Sequence, residues 1–207
     1  MSKIMDKIHI PVLLNDSINS LDIFDNGYYI DCTLGDGGHS IEILKKLSSD
    51  GLLLSIDQDQ NAIDFVKGYY KPFINNPIWN IQRDNFKNIK EVSERITDRK
   101  PNGILMDLGL SSRQLEESHN RGFSYLENTE PLDMRMNQNL GVTAKDLLNV
   151  LPEKELARLF RTYGEEKFSY QIAKEIKRNI SDISTVGDLT RLIYKVMPAS
   201  NSKKNPS

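Results

Sequence analysis

Three glycines, three carboxylates and a histidine are packed into Asp31-Cys32-Thr33-Leu34-Gly35-Asp36-Gly37-Gly38-His39-Ser40 and its downstream partner Asp57. Gly35, Gly37 and Gly38 can take positive φ or let a ligand approach the backbone closely. A glycine turn that opens a helix presents free N–H groups and the positive end of the helix dipole to a nucleotide-type ligand. Asp57 lies 22 positions beyond Gly35, the spacing at which an acid meets ribose hydroxyls. Dinucleotide sites and S-adenosylmethionine sites share that spacing. Two features favour the second: Ser40 stands where a dinucleotide fingerprint wants its last glycine, and Asp31 lies just upstream of the turn. A carboxylate there can receive the methionine ammonium, directly or through water, whereas a pyrophosphate would be repelled. A nicotinamide-dependent oxidoreductase stays as the remote alternative.

These residues need a scaffold. Tyr28–Ile30 starts as an apolar strand, and His39 and Ser40 open a helix carrying Ile41, Ile43, Leu44 and Leu47. The spacing predicts further strands over 52–59, 78–81 and 104–108. Helices are expected over 61–70, with Ala62, Ile63, Val66 and Tyr69 on one face, and over 89–96. Residues 8–14 are expected to be extended, and Asn15 or Asp16 to cap a helix over 17–23. Alternation over 28–108 predicts an α/β fold with a parallel sheet wound by right-handed crossovers. Ligands bind at the carboxyl ends of such strands, where Gly35–His39, Asp57, Asp84–Phe86 and Asp107 all fall. Asp59 is expected to be only a cap, and His39 either a cap or a ligand contact. Beyond Ser111 the alternation stops. Residues 113–142 read as loop with islands at Arg121–Ser124 and Pro131–Met136. From 143 to 197 the pattern is helical, with start signals at Thr143/Asp146 and Thr185/Asp188 and a break at Gly164. The tail after Pro198 reads as disordered.

Composition sets the outer bounds. With 207 residues, 38% hydrophobic, 27% charged and a formal net charge of -2, the chain reads as an ordinary soluble protein with no global basic signal for nucleic acid. Residues 154–204 hold eleven Lys/Arg against six Asp/Glu, a local excess of the kind phosphate contacts use. The single cysteine, Cys32, excludes an internal disulfide and reads as a buried structural thiol. No apolar run reaches the length a membrane helix needs and no signal peptide is read, so the expectation is a cytoplasmic protein without a metal site.

The order of HIPVLL, DCTLGDGGHS, IDQD, ILMDLGLSSRQL, RGFS, PLDMRM and YGEE resembles the ribosomal RNA small-subunit methyltransferase H family. The resemblance implies methylation of a cytosine N4 amine in the decoding region of small-subunit rRNA, with S-adenosyl-L-methionine as cofactor. It also implies a class I (Rossmann-like) methyltransferase sheet interrupted by an inserted α-helical substrate-recognition domain. Carried over by position, Gly37, Gly38 and His39 match the cofactor turn, Asp57 the ribose carboxylate and Phe86 the adenine contact. Asp107 and Gln114 match further cofactor positions. The domains implied are 1–112 (the N-terminal half of the methyltransferase domain), 113–197 (the insert) and 198–207 (the tail).

A cytosine amine has a delocalised lone pair and must be held before it attacks a methyl group. Asp107 is the acceptor expected to do this, as the catalytic residue. No aromatic follows it at the usual spacing, so Phe123 is expected to stack on the flipped base, with Arg121 and Arg135 touching substrate or RNA. Members of the family continue past this point with a Phe-Gln-Ala-Leu-Arg-Ile segment and the second half of a seven-stranded sheet. The chain ends at Ser207, so a C-terminally truncated form with the second half of the sheet missing is expected, either active or an inactive fragment. Its fourth strand is expected to be a bare apolar edge. A homodimer is left open.

Overall fold

The computed structural model describes residues 11–118 and 120–197. The tail expected to be disordered, and residues 8–10 of the expected extended segment, lie outside the described residues. The chain divides into two compact units, 1–113 and 114–207.

In the first unit, strands β1 (Tyr28–Asp31), β2 (Leu52–Asp57), β3 (Trp79–Arg83) and β4 (Gly103–Leu105) form one parallel sheet in the order β3-β2-β1-β4. Helices α1 (Leu14–Ser20), α2 (Gly38–Leu44), α3 (Gln60–Tyr69), α4 (Lys71–Ile74) and α5 (Ile89–Ile96) accompany it. The period-2 alternation of β1 and β2 sorts the core into two layers. Tyr28, Ile30, Cys32, Leu54 and Ile56 pack with Val92 of α5. Tyr29 and Leu53 face the opposite way and pack with Ile41, Ile43 and Leu44 of α2 and Ile63 and Val66 of α3. Cys32 sits in the first layer as a free, buried thiol, and burial pushes it up to about 11.

Several expectations shift. Residues 11–13 turn rather than extend, and Leu13 at φ 57 is the N-cap of α1, so Asn15 and Asp16 lie inside that helix instead of capping it. Tyr69 is largely exposed. Tyr70, one helical step of four after Val66, takes the core position instead. The fourth strand stops at Leu105, leaving Met106 and Leu108 exposed beyond it, and its described pairing is with β1 alone.

The second unit is helical. α6 (Ser112–Glu116) straddles the unit boundary, inside a stretch expected to be loop. It is followed by α7 (Ala144–Val150), α8 (Glu153–Tyr163), α9 (Ser169–Arg178) and α10 (Val186–Val196). The two expected start signals are both reciprocal capping boxes: Thr143 with Asp146 opens α7 and Thr185 with Asp188 opens α10. Gly164 terminates α8. Leu148, Leu156, Ile172, Ile176, Ile183, Val186 and Leu192 form the core of this unit.

Candidate functional site: the glycine turn of the first unit

The turn is built where β1 hands over to α2. Gly35 (φ +50) and Gly37 (φ +83) occupy left-handed backbone. Gly37 is the N-cap, so the helix starts at Gly38, one residue before the expected opening at His39. A Cβ on Gly37 would lie 2.9 Å from Tyr70 Cε2 and 3.1 Å from Val66 Cγ2, so the backbone here runs close against α3 and the residue that ends it.

Asp57, at the end of β2, reaches back to this turn. Its Oδ2 accepts from Gly35 N at 2.9 Å and its Oδ1 from Asp59 N at 2.9 Å. Burial pushes its carboxyl above the ordinary range, against the pull of those two N–H donors. Each oxygen retains a lone pair for a ligand hydroxyl. Asp59 caps α3 through Asn61 N, as expected.

Asp31 is wholly inside. Its Oδ2 accepts from Ser40 Oγ at 2.6 Å and its Oδ1 from Thr33 N at 3.1 Å. It therefore offers no surface for direct capture of an ammonium group. His39 is buried as well, with Nδ1 3.9 Å from Asp107 Oδ2 and an Nε2 that has no partner. An imidazole nitrogen shut in without a partner is costly unless a ligand supplies one. Asp107 is exposed, and its backbone N–H donates to Thr33 Oγ1 at 2.8 Å, tying the segment after β4 to the segment after β1. Phe86 opens a 3-10 turn capped by Asn85 and is about one-third exposed, at 36%. In the first unit, then, the turn, Asp57, His39 and Asp107 are joined by direct contacts, and Phe86 follows the end of β3.

Sequence reasoning missed Arg113. Its Nε donates to Asp36 Oδ1 at 2.7 Å, and its guanidinium lies 4.2 Å from the Phe65 ring centroid. The pair clasps the tip of the turn to α3. Nothing in the local spacing signals a contact between positions 36 and 113.

Gln114 belongs to the second unit. It is buried there, with Nε2 3.5 Å from Met136 Sδ. Three residues of this unit expected to meet substrate or RNA have partners within the unit. Arg121 is 1% exposed, donates from Nε to Ser118 O and lies 4.7 Å over the Phe123 ring, so it ties the loop together. The same contact covers one face of Phe123, which leaves at most the other for a base. Arg135 pairs with both oxygens of Asp133, at 2.8 and 2.6 Å, and donates to the carbonyls of Gln138 and Leu140. A guanidinium so engaged is part of the loop's framework. Among the described residues no group of three or more His, Cys, Asp or Glu side chains could hold a metal ion.

Residues 6–207 match the model of the MraW methylase family. The chain belongs to that family. Its parallel sheet is accordingly the class I, Rossmann-like sheet of a methyltransferase. It is 49% identical to ribosomal RNA small subunit methyltransferase H of Clostridium botulinum (strain Loch Maree / Type A3) over 94% of this chain and 62% of that one. The protein of the same name from Hydrogenovibrio crunogenus is 42% identical over 96% of this chain and 62% of its own. That from Fusobacterium nucleatum subsp. nucleatum is 43% identical over 98% and 64%. The chain thus spans a little under two thirds of the length of these MraW relatives. No helix among the described residues is long and apolar enough to cross a membrane.

Proposed function

We propose that the protein transfers a methyl group from S-adenosyl-L-methionine to the N4 amine of a cytosine in small-subunit ribosomal RNA. Membership of the MraW methylase family supports methyl transfer, and the names of its relatives supply the substrate class. The observation that carries the cofactor assignment is the bonding of Asp57 to Gly35 across the turn. It supports a reading in which Asp57 takes the ribose and the adjacent turn the aminoacyl end.

In this proposal the residues have these roles. Gly37 and Gly38 bring backbone N–H groups to the aminoacyl half, with His39 alongside, and Asp57 accepts from the ribose hydroxyls. Phe86 flanks the adenine, and Gln114 is assigned to the cofactor as well. The bound cofactor supplies an electrophilic sulfonium methyl. Asp107 accepts an N–H of the target amine, which turns the nitrogen lone pair out of conjugation and towards the methyl group. Thr33 fixes the Asp107 backbone for that task, and the exposed carboxylate passes the released proton to water. Residues 114–197 are assigned to RNA recognition.

The test incubates the 207-residue chain with methyl-labelled S-adenosylmethionine and small ribosomal subunits, followed by nucleoside analysis of the rRNA. Label at cytosine N4, abolished by Asp107→Ala, is the expected result. Calorimetric preference for NADH over S-adenosylmethionine would overturn the cofactor assignment. Cofactor binding without methyl transfer would overturn the activity of this chain.

A further inference from the structure

A directional chain of buried hydrogen bonds runs through the first unit from β3 to the glycine turn. Trp79 Nε1 donates to Ser55 Oγ at 2.9 Å, Ser55 Oγ lies 2.7 Å from Ser40 Oγ, and Ser40 Oγ donates to Asp31 Oδ2 at 2.6 Å. Asp31, Ser40 and Ser55 have no exposed surface, and Trp79 almost none. An indole N–H can only donate, so Ser55 accepts from Trp79, and with the single Ser40 proton given to Asp31 the bond between the two hydroxyls is donated by Ser55. Ser40 in turn gives its proton to the carboxylate. The last link is as short as a charge-assisted O–H···O⁻ bond.

The fold places these groups together for simple reasons. Asp31 and Ser55 are register partners on β1 and β2. Both point to the α2 face, with Tyr29 and Leu53. Trp79 is the partner of Leu53 on β3, one diagonal step from Ser55. Ser40 stands in the first turn of α2 directly over the pair, in the position where a dinucleotide turn would carry glycine.

We propose that Ser40, Ser55 and Trp79 are positioning residues that hold the Asp31 carboxylate beneath the turn, where its charge favours a ligand that carries an ammonium group. This rests on the cofactor reading above. Asp31 acts through the field of a fixed anion across a dry interior, since it has no surface to offer for contact. Burial drives its carboxyl towards the neutral form, and the donors from Ser40 and Thr33 oppose that. The charged group acting on it is His39 from α2, which favours the anion, while Asp31 itself raises the carboxyl of Asp57 on β2 and the thiol of Cys32, the residue after β1.

Three ligands separate this role from a merely structural one. S-adenosylmethionine and S-adenosylhomocysteine carry the ammonium, and 5′-methylthioadenosine lacks the whole aminoacyl group. In calorimetric titrations of the 207-residue chain, Ser40→Ala is expected to weaken the first two by about tenfold. The third should change by less than about twofold, because its contacts do not involve Asp31. Ser55→Ala, which leaves Ser40 in place but removes the donor behind it, gives the same selective pattern at about threefold. That variant also carries the test if Ser40→Ala does not fold. Equal weakening of all three ligands, or of none, overturns the proposal. Failure of the unmutated chain to bind any of the three instead overturns the cofactor reading on which it stands.

Discussion

Replacing Gly37 by alanine tests whether the turn depends on backbone freedom or on close packing. At φ +83 an L-residue is strained by about 1–2 kcal/mol. The new Cβ would also sit 2.9 Å from Tyr70 Cε2 and 3.1 Å from Val66 Cγ2, distances at which the neighbours must move. Tyr70 cannot swing freely. Its ring is edge-on to Tyr69 at 5.0 Å and to Trp79 at 6.4 Å between centroids. Overpacking of a fixed site adds about 1–3 kcal/mol, giving about 2–5 kcal/mol in all. Gly35 is the control. Its φ is +50, but the nearest atom to an added Cβ is Thr33 O at 3.8 Å, so Gly35→Ala carries the strain of about 1–2 kcal/mol alone. Urea unfolding followed by fluorescence is a suitable assay, because Trp79 is the single tryptophan and lies in the first unit. Its emission therefore follows that unit and not the helical one. Gly37→Ala is expected to lower the stability of the first unit well below that of Gly35→Ala. Equal losses in the two variants would refute the close-packing argument and leave backbone strain as the whole effect.

Other expectations are independent of it. Arg113→Ala strands the Asp36 carboxylate and removes the stack on Phe65, at about 1–3 kcal/mol by urea unfolding of the first unit, and Arg113→Lys recovers the charge but not the stack. Gly122→Ala would put a Cβ 2.3 Å from the Pro131 carbonyl oxygen at φ +72, so the helical unit should lose more than about 3 kcal/mol in a thermal melt read by circular dichroism. That unit should also unfold in acid. Hydrogen bonds from the Arg135 side chain to Asp133, from the Thr143 hydroxyl to Asp146 and from Ser184 N–H to Asp188 hold these carboxyls below their ordinary value of 3.8. Because the folded values are depressed, their stabilisation is present above pH 3.8 and is lost as the pH falls through the lower folded values. A pH series of melts that rises steadily below that point would contradict the assignment.

Local sequence carried much of this protein because much of it is set by local rules. The alternation over 28–108 fixed a parallel α/β sheet, since each strand and helix there has its own apolar period. Thr143/Asp146, Thr185/Asp188, Asp59 and Gly164 were readable because a cap is made by residues two to four apart. The glycine turn and its 22-residue spacing to Asp57 were readable for a related reason: one βα unit brings strand ends together at a nearly constant chain length.

What depended on residues distant in the chain was decided only by the tertiary structure. The sequence put Arg121 and Arg135 in conspicuous islands, but only packing could reveal that one is buried over Phe123 and the other engaged by Asp133 and two carbonyls. Asp31 was placed correctly at the end of a strand, yet its full burial, and the Ser40–Ser55–Trp79 chain that satisfies it, arise from three elements meeting on one face of the sheet. The clasp of Arg113 on Asp36 spans 77 positions. Periodicity reports which face a residue takes, but a polar side chain's partner is set by what the rest of the chain brings to that face, and that has no local signature.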